Sequence, residues 1–265
     1  MTWIVDAFAE GRFSGNQAGV CILDSPIDEI AMLSIANELG FSETAFVEGN
    51  DKRISFDLRW FTPSEEVDLC GHATLGAAFV VFELGLVEVN RIHFSTKSGV
   101  ISVERENDGY LSLTLGKENP MYSSFGREQV SEMLGVEVLG LFESKRDLFA
   151  EVSDFSNLKN INPDLDRIAA LPFRALVVTC GPHEGVSDYS LRVFGPKVSI
   201  PEDSATGSVQ AVLGPYWSDR LGKYLLEVTQ LSSRGGKLRV KVGGDSVIVQ
   251  GKVVLFMKGT IELKE

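Results

Sequence analysis

"FTPSEEVDLC", residues 61–70, and "FGPKVSIPED", residues 194–203, share one frame. Each has Phe, one residue, Pro, and then six residues leading to a group with chemistry: Cys70 in the first copy and Asp203 in the second. Each runs on into a small-residue segment, "GHATLGAA" at 71–78 and "SATGSVQA" at 204–211. Two copies are too few for a solenoid, which needs about three repeats. They read instead as a duplication: two pseudosymmetric lobes with a site between them. A polar, turn-rich stretch at 116–126 marks the join, so the lobes are expected over 1–118 and 119–265, with the last strands free to cross back to the first lobe.

Working outward, each half holds strands, one apolar helix and more strands. In the first half, "TWIVDAFAE" (2–10) alternates as a strand and "GRFSGNQAG" (11–19) reads as a Gly-rich turn. "SPIDEIAMLSIANELG" (25–40) predicts a helix with Ser25 as N-cap, Pro26 at the first helical position and Gly40 as the stop. "ETAFVE" (43–48) is a short strand. In "RISFDLRWFT" (53–62), Ile54, Phe56, Leu58 and Trp60 share one face. "GHATLGAAFVVFELG" (71–85) is apolar on nearly every side, which predicts a helix buried all round. Strands follow at 91–96, 99–106 and 110–116.

In the second half, a short helix is expected at 127–135, with strands at 175–180 and 189–195. The second apolar helix is expected over 204–222, where Gly214-Pro215 should kink or shorten it. Four strands, at 224–230, 237–242, 246–251 and 253–259, close the chain.

Composition excludes several classes. The 265 residues are 44% hydrophobic and 23% charged, ordinary for a globular protein. A formal charge of −12 argues against nucleic acid, whose affinity comes from Lys and Arg neutralising phosphates, and against an anionic membrane surface. The start lacks a basic signal-peptide region, and the longest uncharged apolar run, "ATLGAAFVVF" (73–82), is too short to span a bilayer. Three cysteines at wide spacings, Cys21, Cys70 and Cys180, fit a reducing cytosol. Zinc is not expected, because CxxC and HxxxH pairs are absent and the Cys70-Gly71-His72 spacing suits a structural site poorly. The "SGNQAG" turn matches neither dinucleotide nor P-loop patterns.

Chemistry is expected at the two helix starts. The first turn of a helix presents N–H groups that its own ladder does not use, and a positive dipole end, a natural seat for a carboxylate. Acid/base groups on either side of a bound acid would support isomerisation, which needs no metal and no organic cofactor. The groups on offer are Cys70, His72 and Asp203, together with Glu43, a carboxylate in the apolar company of Phe41, Ala45 and Phe46.

"VDAFAEGRFSGNQAGV" (5–20), "FSETAFV" (41–47), "FTPSEEVDLCGHATLGAA" (61–78) and "DSATGS" (203–208), in this order, closely resemble the PhzF-like family of phenazine-biosynthesis proteins, which shares the diaminopimelate-epimerase fold. The resemblance implies an α+β protein of two lobes, each a curled, mostly antiparallel sheet around one central helix. It implies cofactor-independent proton transfer between carbons of a small carboxylate-bearing substrate. Glu43 of the S-E-T motif would be the shuttle, His72 and Asp203 its catalytic partners. Asn16, Cys70, Gly71, Ala73, Gly207 and Ser208 would bind substrate. Ser204 stands where the family motif often has proline, and Asp203 where related epimerases have a second cysteine, which disfavours two-thiol racemisation. The alternatives are a racemase or epimerase of an amino acid or proline derivative using Cys70, and a non-catalytic metabolite-binding protein. Dimers are common among such proteins, and the oligomeric state stays open.

Overall fold

The computed structural model describes residues 1–49 and 55–263. Arg53 and Ile54, the start of the strand expected at 53–62, lie outside the described residues. The chain divides into two compact units, one of residues 1–114 with 250–265, the other of residues 115–249.

In the first unit, β1 (Thr2–Ala7) pairs antiparallel with β2 (Asn16–Leu23) and with the last strand of the chain, β17 (Val253–Gly259). Then β2 runs parallel to β3 (Thr44–Glu48), β3 antiparallel to β4 (Ser55–Phe61), and β4 parallel to β6 (Arg91–Thr96). β6 is antiparallel to β7 (Gly99–Arg105), which pairs with β8 (Leu111–Gly116). A two-residue strand, β5 (Glu66–Val67), doubles back on β4.

The second unit repeats the order. β10 (Gly140–Glu143) pairs antiparallel with β9 (Met121–Tyr122) and with β11 (Asp147–Glu151). β11 runs parallel to β12 (Ala175–Cys180), β12 antiparallel to β13 (Tyr189–Phe194), and β13 parallel to β14 (Leu225–Gln230). β14 is antiparallel to β15 (Gly236–Gly243). The final strand before β17 is β16 (Ser246–Gly251). Both units thus read antiparallel, parallel, antiparallel, parallel, antiparallel. The two repeated segments start at equivalent points, since Phe61 ends β4 and Phe194 ends β13.

Parallel neighbours need crossover connections, and the helices supply them. α1 (Glu29–Leu39) joins β2 to β3, and α2 (Gly71–Glu83) lies between β4 and β6. In the second unit, after α3 (Arg127–Leu134), the short α4 (Phe155–Lys159) and α5 (Leu165–Ala169) join β11 to β12, and α6 (Gln210–Leu221) lies between β13 and β14. α2 is buried along nearly its whole length and packs on β1, β2, β3, β7 and β17, as its all-round apolar surface requires. Cys21, Met32, Ile35, Ala36, Phe46 and Phe61 form a second core under α1. The second unit's core gathers Val130 and Leu134 of α3 with Leu158, Ile168 and the apolar residues of β11 and β12.

Several expectations are corrected. α1 is capped by Asp28, whose carboxylate accepts from Ala31 N at 2.7 Å, and Ser25 lies a full turn too early. Gly40 does end it. Residues 16–19 are strand, not turn, because Gly19 lets β2 approach β3: a Cβ there would meet Leu39 and Thr44 at 2.9 Å. α6 begins at Gln210, not at 204, and runs unbroken through Pro215. Proline cannot serve the carbonyl of residue 211. The Glu118 N–H donates to that oxygen instead, at 3.0 Å, so the carbonyl is not left unpaired. No helix among the described residues is long and apolar enough to cross a membrane.

Candidate active site

In the first unit the fold brings Asn16, Glu43, Cys70 and His72 around one imidazole. His72 is the second residue of α2 and is buried. Cys70 is the N-cap, extended at φ −141°, ψ 109°, with no side-chain cap bond. The α2 ladder opens with Thr74 N–H donating to Cys70 O, so the Gly71, His72 and Ala73 N–H groups lie ahead of it at the positive end of the helix. A Cβ at Gly71 would find only Leu113, at an ordinary 3.6 Å, so the packing here does not demand glycine.

Four groups face the imidazole edges. Asn16, the first residue of β2, places its amide nitrogen 3.3 Å from Nδ1, and Cys70 Sγ lies 3.5 Å from the same atom. On the other side, Ser42 Oγ and Glu43 Oε2 each lie 3.5 Å from Nε2. An amide nitrogen only donates, so Nδ1 accepts and the proton of the neutral ring sits on Nε2, facing Glu43. Glu43 immediately precedes β3, which fixes its backbone. Its side chain is 15% exposed, and Oε2 is buried with no hydrogen-bond partner among the described residues. Ser42 was not singled out in the sequence, although it is the serine of the S-E-T motif.

In the second unit a buried polar network holds the "DSATGS" loop. Asp203 N donates to Val193 O at 2.9 Å, and Asp203 Oδ2 accepts from Thr206 Oγ1 at 2.5 Å. Gln230, fully buried at the end of β14, donates through Nε2 to Asp203 O at 2.8 Å and to Thr206 Oγ1 at 3.1 Å, and its Oε1 accepts from Thr206 N at 2.8 Å. Gln210 Nε2 donates to Thr206 O, and Tyr189 OH donates to Gln210 Oε1. Ser204, at the position the family often fills with proline, is held by its carbonyl, which accepts from Ser232 Oγ at 2.7 Å.

Asp203 does not cap α6. That helix starts seven residues later, through a tight turn in which Gln210 N donates to Gly207 O and Ala211 N to Ser208 O. The Gly207 and Ser208 N–H groups still precede the ladder. Ser208 Oγ lies 3.4 Å from an Arg174 nitrogen, and Arg174 forks onto the buried Asp147 at 2.6 and 2.8 Å. Sequence reasoning missed Arg174, Asp147, Thr206, Gln210, Gln230 and Tyr189. The one legible signal was Gln210, a polar residue in the apolar run "VQAVLG" at 209–214.

The other thiols have no such company. Cys21 sits in the core beneath α1, where burial raises its pKa. Cys180 ends β12 inside the second core, and burial pushes it up to about 12. Glu43, Cys70 and His72 each offer a metal-ligand atom, and the three atoms lie within 4.8 Å of one another.

The family model described as "Phenazine biosynthesis-like protein", PhzC-PhzF, matches residues 5–259. A Pseudomonas aeruginosa protein named an uncharacterized isomerase is 40% identical over 264 residues, covering 98% of this chain and 97% of its own length. A crystal structure of a PhzF-family phenazine biosynthesis protein from Enterococcus faecalis superposes with a TM-score of 0.93 at 38% identity, over 99% of this chain and 98% of that one. A hydroxyproline epimerase from Agrobacterium vitis, at 9% identity and a TM-score of 0.61, shares the fold alone. With its α+β fold and these relatives, the chain belongs to the phenazine biosynthesis-like PhzC-PhzF family and is an isomerase by class.

Proposed function

We propose that the protein isomerises a small carboxylate-bearing molecule by moving a proton between carbons, without an organic cofactor, with Glu43 as the general base and acid. One observation carries this reading: Glu43 Oε2 is buried, bound by no hydrogen bond among the described residues, and 3.5 Å from His72 Nε2. A carboxylate oxygen that no donor holds accepts a proton from a substrate C–H without first giving up a protein hydrogen bond. His72, with Asn16 behind it, sets Nε2 3.5 Å from Glu43 Oε2, beyond a hydrogen bond, and its ring dipole steadies the carboxylate when charged.

The substrate's anionic group would be held by the first-turn N–H groups of α2, at Gly71 and Ala73. In the second unit, Asp203, fixed through Thr206 and Gln230, is the acid/base candidate. Arg174 donates to Ser208 Oγ, which leaves the Ser208 hydroxyl proton free for an acceptor.

The test is Glu43→Gln assayed over a panel of small amino, hydroxy and unsaturated acids. General acid–base catalysis contributes on the order of 10²- to 10⁴-fold, and that is the expected loss. Activity within threefold of wild type would remove Glu43 from the mechanism.

A second reading draws support from Cys70 Sγ at 3.5 Å from His72 Nδ1: a racemase of an amino acid or proline derivative with Cys70 as one acid/base group. It requires that alkylating Cys70 abolish turnover, whereas the first reading expects partial loss. A binding protein without catalysis would instead show ligand-induced thermal stabilisation and no isotope exchange.

A further inference from the structure

We propose that Glu43, Cys70 and His72 together form a binding site for zinc, through the same atoms that handle the proton. The Cys-x-His spacing in α2 offers two donors only. The fold adds a third from the residue preceding β3, and the three ligand atoms lie within 4.8 Å of one another. Thiolate, imidazole and carboxylate are the donor types zinc prefers.

The distances suit four-coordination. With Zn–S of about 2.3 Å and Zn–N of about 2.0 Å, tetrahedral angles put sulfur and nitrogen about 3.5 Å apart. Cys70 Sγ and His72 Nδ1 already stand 3.5 Å apart, and Glu43 Oε2 stands 3.5 Å from Nε2. A single ion takes Nδ1, on the Cys70 side, where it displaces the Asn16 amide and leaves the ring proton on Nε2, and Glu43 closes in by about 1 Å. Such a shift lies within the reach of side-chain rotation. Glu43 Oε2 surrenders no hydrogen bond among the described residues in making it.

Charge also balances. Binding converts the Cys70 thiol to thiolate and releases one proton to solvent, while the imidazole stays neutral and the carboxylate anionic. One Zn²⁺ with two anionic donors leaves a neutral cluster, which suits a site where Cys70 and His72 are both buried. Backbone position is rigid on both sides, at the start of β3 and in the first turn of α2.

Occupied this way, Glu43 and His72 become spectator ligands, so zinc acts as a reversible inhibitor. That consequence rests on the isomerase reading; the binding does not. Wild-type full-length protein, stripped with chelator, is titrated with Co²⁺. One equivalent should produce a thiolate-to-cobalt charge-transfer band and intense four-coordinate visible bands, both displaced by Zn²⁺. Cys70→Ser and Cys70→Ala should lose the charge-transfer band while keeping the wild-type circular dichroism. In competition with a chromophoric chelator, Glu43→Gln and His72→Gln should each weaken zinc at least tenfold.

Absence of the band in wild type, or its persistence in both Cys70 variants, overturns the site. Binding without inhibition of a turnover that depends on Glu43 overturns the blocking role. Binding in a protein for which no turnover is found leaves the metal site standing and counts against the isomerase reading instead.

Discussion

Replacing Gln230 with leucine removes the anchor of the Asp203 loop while nearly conserving volume. Gln230 is fully buried and makes three hydrogen bonds, to Asp203 O at 2.8 Å, to Thr206 Oγ1 at 3.1 Å and from Thr206 N at 2.8 Å. Each bond contributes about 1 kcal/mol net, and each backbone group left buried and unpaired costs about 1–3 kcal/mol. Leucine is the better-buried side chain and recovers part of this. The expected loss is about 3 kcal/mol, or about 6–12 °C in Tm at about 2–4 °C per kcal/mol for a chain of this size.

Two units complicate a global transition, so the probe must report on the second alone. Trp217 lies there, with Nε1 donating to Thr179 Oγ1 at 3.0 Å, whereas Trp3 and Trp60 lie in the first unit. Urea unfolding followed by Trp217 fluorescence, in a background carrying Trp3→Phe and Trp60→Phe, isolates the effect. The same substitution should lower kcat more than it raises KM, because it displaces Asp203 rather than deleting it. A stability loss below about 1 kcal/mol would show that these bonds are easily replaced by water, and the network would then not fix the loop.

Other outcomes follow from the same geometry. Gly76→Ala puts a Cβ 2.7 Å from Val5 Cγ2 and 3.4 Å from Val20 Cγ2, so overpacking of about 1–3 kcal/mol should outweigh a helix-propensity gain of about 1 kcal/mol. Val5→Ala in the same chain should relieve it, giving a favourable coupling in a double-mutant cycle. Asn16→Leu removes the donor to His72 Nδ1 and should cut kcat on the order of 10²-fold, with a tautomer change visible in the His72 ¹⁵N shifts; unchanged shifts would refute the assignment. Cys180 has a folded pKa raised to about 12 from 9.0, so it favours folding below pH 9 and loses that contribution as pH rises toward 12. Stability of wild type relative to Cys180→Ala should therefore fall between pH 9 and 10, by at most about 1.4 kcal/mol per pH unit, and be flat below pH 8.

The duplication was legible because it is written in residues of low degeneracy: Phe61-x-Pro63 and Phe194-x-Pro196 each leave the fourth ladder strand of their unit. α2 was legible because its apolar surface has one solution, burial on all sides. Caps were less so. Ser25 and Asp28 are equally good N-caps by type, and only the bond to Ala31 N distinguishes them. α4 and α5 are five residues each, shorter than the window in which helical periodicity can be read.

At the site, Glu43, Cys70 and His72 could be named from short motifs, but their meeting depends on the parallel pairing of β2 with β3, which sets Glu43 beside α2. The Arg174–Asp147 fork depends on β11 lying parallel to β12, which no local pattern announces. Gln210 and Gln230 are the buried donors and acceptors that hold Thr206 and, through Gln230, Asp203, a role no local pattern announces.

One proton decides whether Glu43 is a shuttle. A substrate found in the acid panel is deuterated at the carbon that loses its proton and converted in light water under single-turnover conditions. A single buried carboxylate that removes and returns the proton predicts deuterium on the receiving carbon of the product with wild type, and turnover slowed on the order of 10²- to 10⁴-fold with a folded Glu43→Gln. Turnover by Glu43→Gln at the wild-type rate, with deuterium still delivered to the receiving carbon, would contradict it.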